Sequence, residues 1–159
     1  MFDIFKKKDN SRYFTSPVKG KSVTLQNVKD ETFSSEVLGK GVAIIPSDDT
    51  FYAPCSGTVA LVFSTKHAIS IKADTGEEIL IHIGLETVEL NGKHFEVFVS
   101  EGDRIERGQK IATANIKGIE ADGYDPITSI VITNTDEFQG IDPIESDFVD
   151  NNYNVVRVY

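Results

Sequence analysis

The 159-residue chain has a single cysteine, few basic side chains and no long hydrophobic run. One thiol, Cys55, excludes an intramolecular disulfide framework and a cysteine-based zinc site. No apolar stretch approaches the roughly 18 residues of a membrane span. Sixteen Lys and Arg stand against 25 Asp and Glu, a net charge of −9. A duplex-DNA binder with that balance would have to hide its acids, so nucleic acid is not expected as a partner. Long helix-period patterns are missing as well, which leaves no material for helical bundles or for crossover helices between parallel strands. The lysines near the N-terminus follow its apolar residues instead of preceding them. No secretory signal is expected, and the cytoplasm is the expected compartment.

What is present is an ordinary globular mix, 40% hydrophobic and 26% charged, at a length that suits one domain. Its charge is uneven. Residues 1–29 hold seven bases and two acids, whereas the other 130 residues hold nine bases and 23 acids. An acidic body favours and steers a basic partner. Met1–Lys8 reads either as a frayed, soluble tail or as a short amphipathic foot for anionic lipid, with Phe2 and Phe5 beside three lysines. The expected organisation is a flexible tail over residues 1–15 and a single domain over 16–159.

From Ser16 onward, short runs of Val, Ile, Thr and Phe alternate with Gly, Pro and Asp turns. Strands are predicted near Ser22–Val28, Val42–Ile45, Thr58–Phe63, Ala68–Lys72, Glu78–Ile83, Glu96–Val99, Lys110–Ala114, Ser129–Thr133 and Asn154–Val158. The short spacing implies an all-β, mainly antiparallel sandwich or barrel-like domain with little helix. Pro17-Val18-Lys19-Gly20 and Pro54-Cys55-Ser56-Gly57 share a Pro-x-x-Gly frame, each leading into a strand, which hints at an internal repeat. Close glycine turns also occur in lipoyl- and biotin-carrying domains, but Lys72, Lys93 and Lys110 lack the context of a modified lysine.

Three histidines are the candidates for chemistry. His94, in Asn91-Gly92-Lys93-His94, reads as a solvated loop residue. His82 is embedded in the apolar run Ile79–Leu85, where an imidazole needs a hydrogen-bond partner or a task. Asp74-Thr75-Gly76 between His67 and His82 signals a hairpin turn. Opposed residues of an antiparallel hairpin share a constant index sum. A loop of Asp74 and Thr75 gives 149 and sets the two histidines directly opposite; a loop of Thr75 and Gly76 gives 151 and sets them diagonal on one face. A sum of 150 would put them on opposite faces. Two imidazoles on one face suit metal binding or phosphoryl transfer. Zinc wants three or four protein ligands, and no third ligand stands at suitable spacing. A neutral imidazole is a competent nucleophile near neutral pH, and a second one can stabilise phosphoryl oxygens. Thr65, two residues before His67, is placed to fix its tautomer.

Gly76-Glu77-Glu78-Ile79-Leu80-Ile81-His82-Ile83-Gly84-Leu85-Glu86-Thr87-Val88 resembles the active-site signature of the glucose-class enzyme IIA of the bacterial sugar phosphotransferase system. So do Ser16-Pro17-x-x-Gly20, Gly39-x-Gly41-Val42-Ala43-Ile44-x-Pro46, Ala53-Pro54-x-x-Gly57-Thr58, Phe63-x-Thr65-x-His67-Ala68, Glu89-Leu90-x-Gly92 and Val131-Ile132-x-Asn134-x-Asp136, in family order.

The resemblance implies a β-sandwich of the duplicated-hybrid type and a phosphocarrier. In that scheme phosphorylated HPr gives its phosphoryl group to Nε2 of His82, with His67 and Thr65 in support. A cysteine of the IIB domain of a sugar permease receives it next. Cys55 does not match that cysteine and reads as a small core residue. Phe33, Val37, Leu38, Phe63 and Val88 fall on positions of a partner-binding apolar ring. Glu86 stands where the family usually has aspartate. No cofactor is required. Some relatives form a zinc site across a partner complex, for which His67 and His82 would supply two ligands. Some also regulate transport or metabolism by binding other proteins, so a regulatory binding module is the alternative reading, and a zinc hydrolase a third. The missing IIB and IIC segments suggest a free-standing carrier, expected in the cytoplasm and transiently at the inner face of the membrane.

Overall fold

The computed structural model describes residues 9–159. Met1–Lys8 and the lipid-foot reading attached to them lie outside the described residues. Fourteen strands and two short helices follow one another: β1 (Arg12–Thr15), β2 (Gly20–Val23), α1 (Glu31–Ser34), β3 (Lys40–Pro46), β4 (Thr50–Tyr52), β5 (Gly57–Val62), β6 (Ala68–Ala73), β7 (Glu78–Ile83), β8 (Phe95–Val97), β9 (Arg104–Ile105), β10 (Lys110–Ala114), α2 (Ile116–Ala121), β11 (Thr128–Ile132), β12 (Ile141–Pro143), β13 (Ser146–Val149) and β14 (Asn154–Val158). An eight-stranded sheet runs β13-β2-β3-β11-β7-β6-β5-β9, and two three-stranded sheets run β1-β14-β12 and β4-β10-β8. Among the described residues every strand pair is antiparallel. The expected sandwich with little helix is what the chain builds.

Alternation along the central strands explains the layers. Ile69 and Ile71 of β6, Ile79 and Ile81 of β7, Val42 and Ile44 of β3, and Ile130 and Ile132 of β11 point into the main core. Phe14, Phe51, Ile111 and Val156 of the two small sheets close that core from the other side. The alternate residues of β3 and β11, Ala43 and Val131, face outward into a second apolar cluster with Val23, Leu25, Val28 and Phe33. That second layer is the segment 24–38, which includes α1. A helix of one turn cannot stand alone. Asp30 caps it by accepting the Thr32 N–H at 2.9 Å, and burial of Phe33 holds it against the sheet.

The repeat of Pro-x-x-Gly has a physical basis. Gly20 opens β2 and Gly57 opens β5. A β-carbon at either would fall on a carbonyl oxygen of the neighbouring strand, that of Ile45 or Lys72. Both halves therefore need glycine where the next strand passes closest.

Several sequence expectations need correction. The flexible tail expected over residues 1–15 does not hold for Arg12–Thr15, which pair with β14 and complete a small sheet. The run Ser22–Val28 stops being a strand at Val23, where Leu25–Asn27 turn into a 3-10 segment that carries Leu25 into the second cluster. Short strands β4, β9, β12 and β13 were not expected; their two to four residues carry too little alternation to announce themselves.

Arg12 has a structural task. Its Nε lies 2.7 Å from Oε2 of Glu77, whose side chain is fully buried. Thr75 donates its hydroxyl to Oε1 of the same carboxylate at 2.6 Å. Removing one partner of a buried pair strands the other charge. Arg12→Ala is expected to lower the unfolding free energy by about 3 kcal/mol, measured by urea denaturation; an unchanged midpoint would show that Glu77 does not depend on Arg12.

Candidate active site

His82 occupies the penultimate position of β7, a central strand flanked by β6 and β11. Ile79, Ile81 and Ile83 take the core face, so His82 points to the other face, the one covered by α1. Beyond β7 the chain must turn at once. Gly84 has φ +83, a value open to glycine, and its missing side chain leaves room for Thr87. Thr87 is buried and donates its hydroxyl to the Ile83 carbonyl. Gly84 and Leu85 donate their N–H groups to the carbonyls of Ile127 and Asp125, at 3.0 and 2.9 Å. Thr87 and Leu85 thus position the end of the histidine strand; within the signature they read only as family residues, with no sign of their contacts.

The register differs from both options raised by the turn residues. Ala68 opposes His82 and Ile69 opposes Ile81, an index sum of 150. The loop has three residues, Asp74, Thr75 and Gly76, and Gly76 takes φ +106. By strict alternation this register sends the two histidines to opposite faces. Their ring centroids are nevertheless 4.9 Å apart, nearly perpendicular at 86°. His67 lies in the bend before β6, just after Lys66 with φ +63, so the pleat does not set its direction. Opposite His82 stands Ala68, whose small side chain leaves space for the second ring.

Thr65 also lies in this turn and not on a strand. Its Oγ1 is 2.8 Å from Nδ1 of His67. A hydroxyl donating to Nδ1 leaves the His67 proton on Nε2. The turn rests against Gly92: a β-carbon there would lie 3.9 Å from Lys66 and 4.0 Å from the Thr65 carbonyl.

Phe33 lies against His82, with centroids 4.9 Å apart and ring planes tilted by 52°, and is buried, so it forms a wall of the site instead of an exposed rim. Phe63 meets His67 edge-on at 5.7 Å. Val37, Phe63 and Val88 are 74%, 36% and 44% exposed, large apolar side chains that the fold leaves in water. Leu38 is partly buried against the second cluster. Glu86 is exposed, in a left-handed conformation with φ +57. His94 departs from its solvated-loop reading. Only 14% of its side chain is exposed, its Nε2 lies 2.8 Å from Asp122, and it packs where a side chain on Gly118 would stand. Cys55 is a buried thiol, pushed up to about 12 by desolvation, as expected of a core residue.

Burial sets the charge state of the pair. Desolvation, reinforced by the neighbouring His67, depresses His82 to about 4; the Gly84 backbone and Asp30 oppose this only in part. Burial lowers His67 too. Both rings are neutral at pH 7. Nδ1 of His82 is buried without a hydrogen-bond partner, whereas Nε2 is not sealed off. The lone pair of a neutral imidazole is therefore available at the surface. Among the described residues no three His, Cys, Asp or Glu side chains converge as a metal site. The surface cavities of about 440 and 460 Å³ do not include either histidine of the pair. The arrangement suits a macromolecular partner that presents a group to an open histidine.

Because its folded-state value lies below the ordinary 6.5, the His82 contribution to stability is complete above that pH and lost as pH falls toward about 4. An NMR titration of the ring carbons should give His82 a midpoint of about 4. A midpoint at or above the ordinary histidine range would contradict the desolvated ring.

Comparison with known proteins adds the lineage. Residues 12–138 match the family model for the phosphoenolpyruvate-dependent sugar phosphotransferase system, EIIA 1. The glucose-specific EIIA component of Bacillus cereus is 41% identical over 134 residues, 84% of this chain and 81% of that protein. The beta-glucoside-specific EIIBCA component of Dickeya chrysanthemi is 44% identical over 137 residues, 86% of this chain, but the chain spans only 22% of that relative's length. The structure of glucose permease IIA from Mycoplasma capricolum superposes with a TM-score of 0.86 at 33% identity, covering 94% of this chain and 96% of that one. With a sandwich fold, a signature strand and most of its length in common, the chain belongs to the glucose-class EIIA family, the phosphocarriers of the phosphoenolpyruvate-dependent sugar phosphotransferase system.

Proposed function

We propose that this chain accepts a phosphoryl group from phosphorylated HPr on Nε2 of His82 and passes it to the cysteine of a IIB domain, coupling sugar uptake to sugar phosphorylation. The observation that carries this reading is the neutral His82 with an open Nε2, held 4.9 Å from a second neutral imidazole. The Nε2 lone pair attacks phosphorus as the bond to the donor imidazole breaks and its electron pair returns to the donor. His67, its Nδ1 satisfied by Thr65, directs its Nε2 proton at the phosphoryl oxygens and stabilises their charge.

Docking follows from the surroundings. Val37, Phe63 and Val88 supply exposed apolar contact, and Glu86 with the acidic body favours a basic partner. No helix among the described residues is long and apolar enough to cross a membrane. The carrier role places the chain on the cytoplasmic side, meeting HPr and then the permease. The transfer uses side chains alone and needs no cofactor. Zinc at the histidine pair would take its remaining ligands from a partner.

Incubation with phosphoenolpyruvate, enzyme I and HPr should add one acid-labile phosphoryl group by intact mass, and none to His82→Ala. His67→Ala should still be phosphorylated but pass the group to IIB about 100-fold more slowly. An unmodified wild-type chain beside fully phosphorylated HPr would overturn the reading.

A further inference from the structure

The chain leaves β7 at Gly84 and reaches β8 at Phe95 by a run of tight turns. The N–H groups of Asn91, Lys93 and Phe95 donate to the carbonyls of Val88, Leu90 and Gly92, at 3.0 to 3.2 Å. Among the described residues five non-glycine residues take a positive φ. Three of them, Glu86, Asn91 and His94, stand in this excursion, and a fourth is Lys66 in the turn before His67. A left-handed backbone costs an L-residue energy and persists only where its surroundings hold it. Thr87 holds the start of the excursion, through its bond to the Ile83 carbonyl. Past Leu90, Asn91 and Lys93 are exposed, and His94 is the side chain drawn inward before Phe95.

His94 is docked on α2 in three ways. Its Nε2 lies 2.8 Å from Oδ2 of Asp122, the residue that ends α2. A carboxylate only accepts, so the ring proton sits on Nε2. The ring also fills the space over Gly118, where a β-carbon would fall 2.5 Å from two of its atoms. The His94 carbonyl accepts the Asn115 N–H at 2.9 Å, at the residue that caps α2. The helix itself is anchored, because Ile116 and Ile119 are buried in the main core. On the other side of the excursion lies the histidine pair. Gly92, two residues before His94, takes φ +90 and backs onto the turn of Thr65 and Lys66. Phe63, Ser64 and Lys66 of that turn are exposed, so it has little packing of its own. Yet this turn, and not the pleat, sets the direction of His67, and its Thr65 bonds Nδ1 of that ring.

We propose that His94, held by Asp122, is a positioning residue: it fixes the excursion at Gly92 and so braces the turn that aims His67 at His82. This rests on the reading of His67 as the support of a phosphoryl group carried on His82. Phosphoryl transfer depends on placement more than on covalent help from the protein. A turn that is free to shift takes the Thr65 hydroxyl away from Nδ1 of His67 for part of the time. The His67 proton is then shared between the two ring nitrogens instead of staying on Nε2. Fewer molecules are competent at any moment, and the rate falls with that fraction. His82 is insulated from the change, since Thr87 and the core isoleucines of β7 hold its strand end independently.

Asp122→Ala removes the anchor without altering the excursion or the histidine pair. Long-range 1H–15N correlation on histidine-labelled, unphosphorylated protein reads the ring protons directly. In the wild type His67 should be predominantly the Nε2–H form. In Asp122→Ala its Nδ1–H share should rise at least about threefold, and transfer to IIB should slow about 3- to 10-fold, with acceptance from phospho-HPr kept within about twofold. Asp122→Asn, whose amide oxygen still accepts from Nε2, should restore both tautomer and rate. His94→Gly suits the left-handed backbone but has no ring; it should match Asp122→Ala, and the double variant should be no slower than either single one. An unchanged His67 tautomer in both variants overturns the proposal and leaves the pair as a clasp for α2. Unfolding of both overturns it too, because the anchor would then serve the whole fold. Failure of the carrier reading would appear instead as an unphosphorylated wild type, and would leave the tautomer result standing.

Discussion

The functional surface depends on one constraint: an imidazole kept neutral by burial at the end of a central strand. Solvated histidine is half-protonated near pH 6.5, and a protonated ring has no lone pair to offer. Around His82 the fold withholds water on nearly every side. Phe33 covers one face, His67 stands across another, and the strand itself sits between β6 and β11. His67 reinforces this, because a charge on it disfavours one on His82. Only one nitrogen is left at the surface, and that one is the proposed nucleophile.

The rest of the architecture serves this placement. The main core fills the space between the large sheet and the two small ones, and its isoleucines lock β7 through Ile79, Ile81 and Ile83. Fixing the inner face of a strand fixes the outer one by alternation. The short segment 24–38 then supplies a second layer just where the outward histidine needs a wall. Gly84, Thr87 and the carbonyls of Asp125 and Ile127 stop the strand one residue beyond His82. A rigid sheet carries His82, while the turn holding Thr65 and His67 brings those side chains in from its end. Rigid placement of this kind is what phosphoryl transfer requires, since positioning and charge stabilisation do most of the work there.

The largest mismatch between sequence reading and structure lies in the histidine pair. The expectation that His67 and His82 approach one another is met, but by another route. Two-residue loops place them together by register; the actual three-residue loop does not. A left-handed Lys66 and a bend release His67 from the pleat, and no pattern of apolar residues announces that. Thr65 likewise reaches His67 through a turn and not along a strand face. His94 illustrates the opposite error. Its polar neighbours suggest exposure, yet Asp122, 28 residues further on, gathers it in.

By itself the sequence determined the strand-rich class, through short β-branched runs and the lack of helix periodicity. It also singled out His82 as a candidate, because a histidine inside an apolar run is costly enough to stand out. Only the tertiary structure decided the geometry: which face His82 takes and how His67 reaches it. These depend on pairings between strands far apart in the chain, β11 against β7 and β3 against β11, and on φ angles at single turn residues. Local patterns carry the period of a strand, but the partner across the sheet is chosen by packing of the whole core.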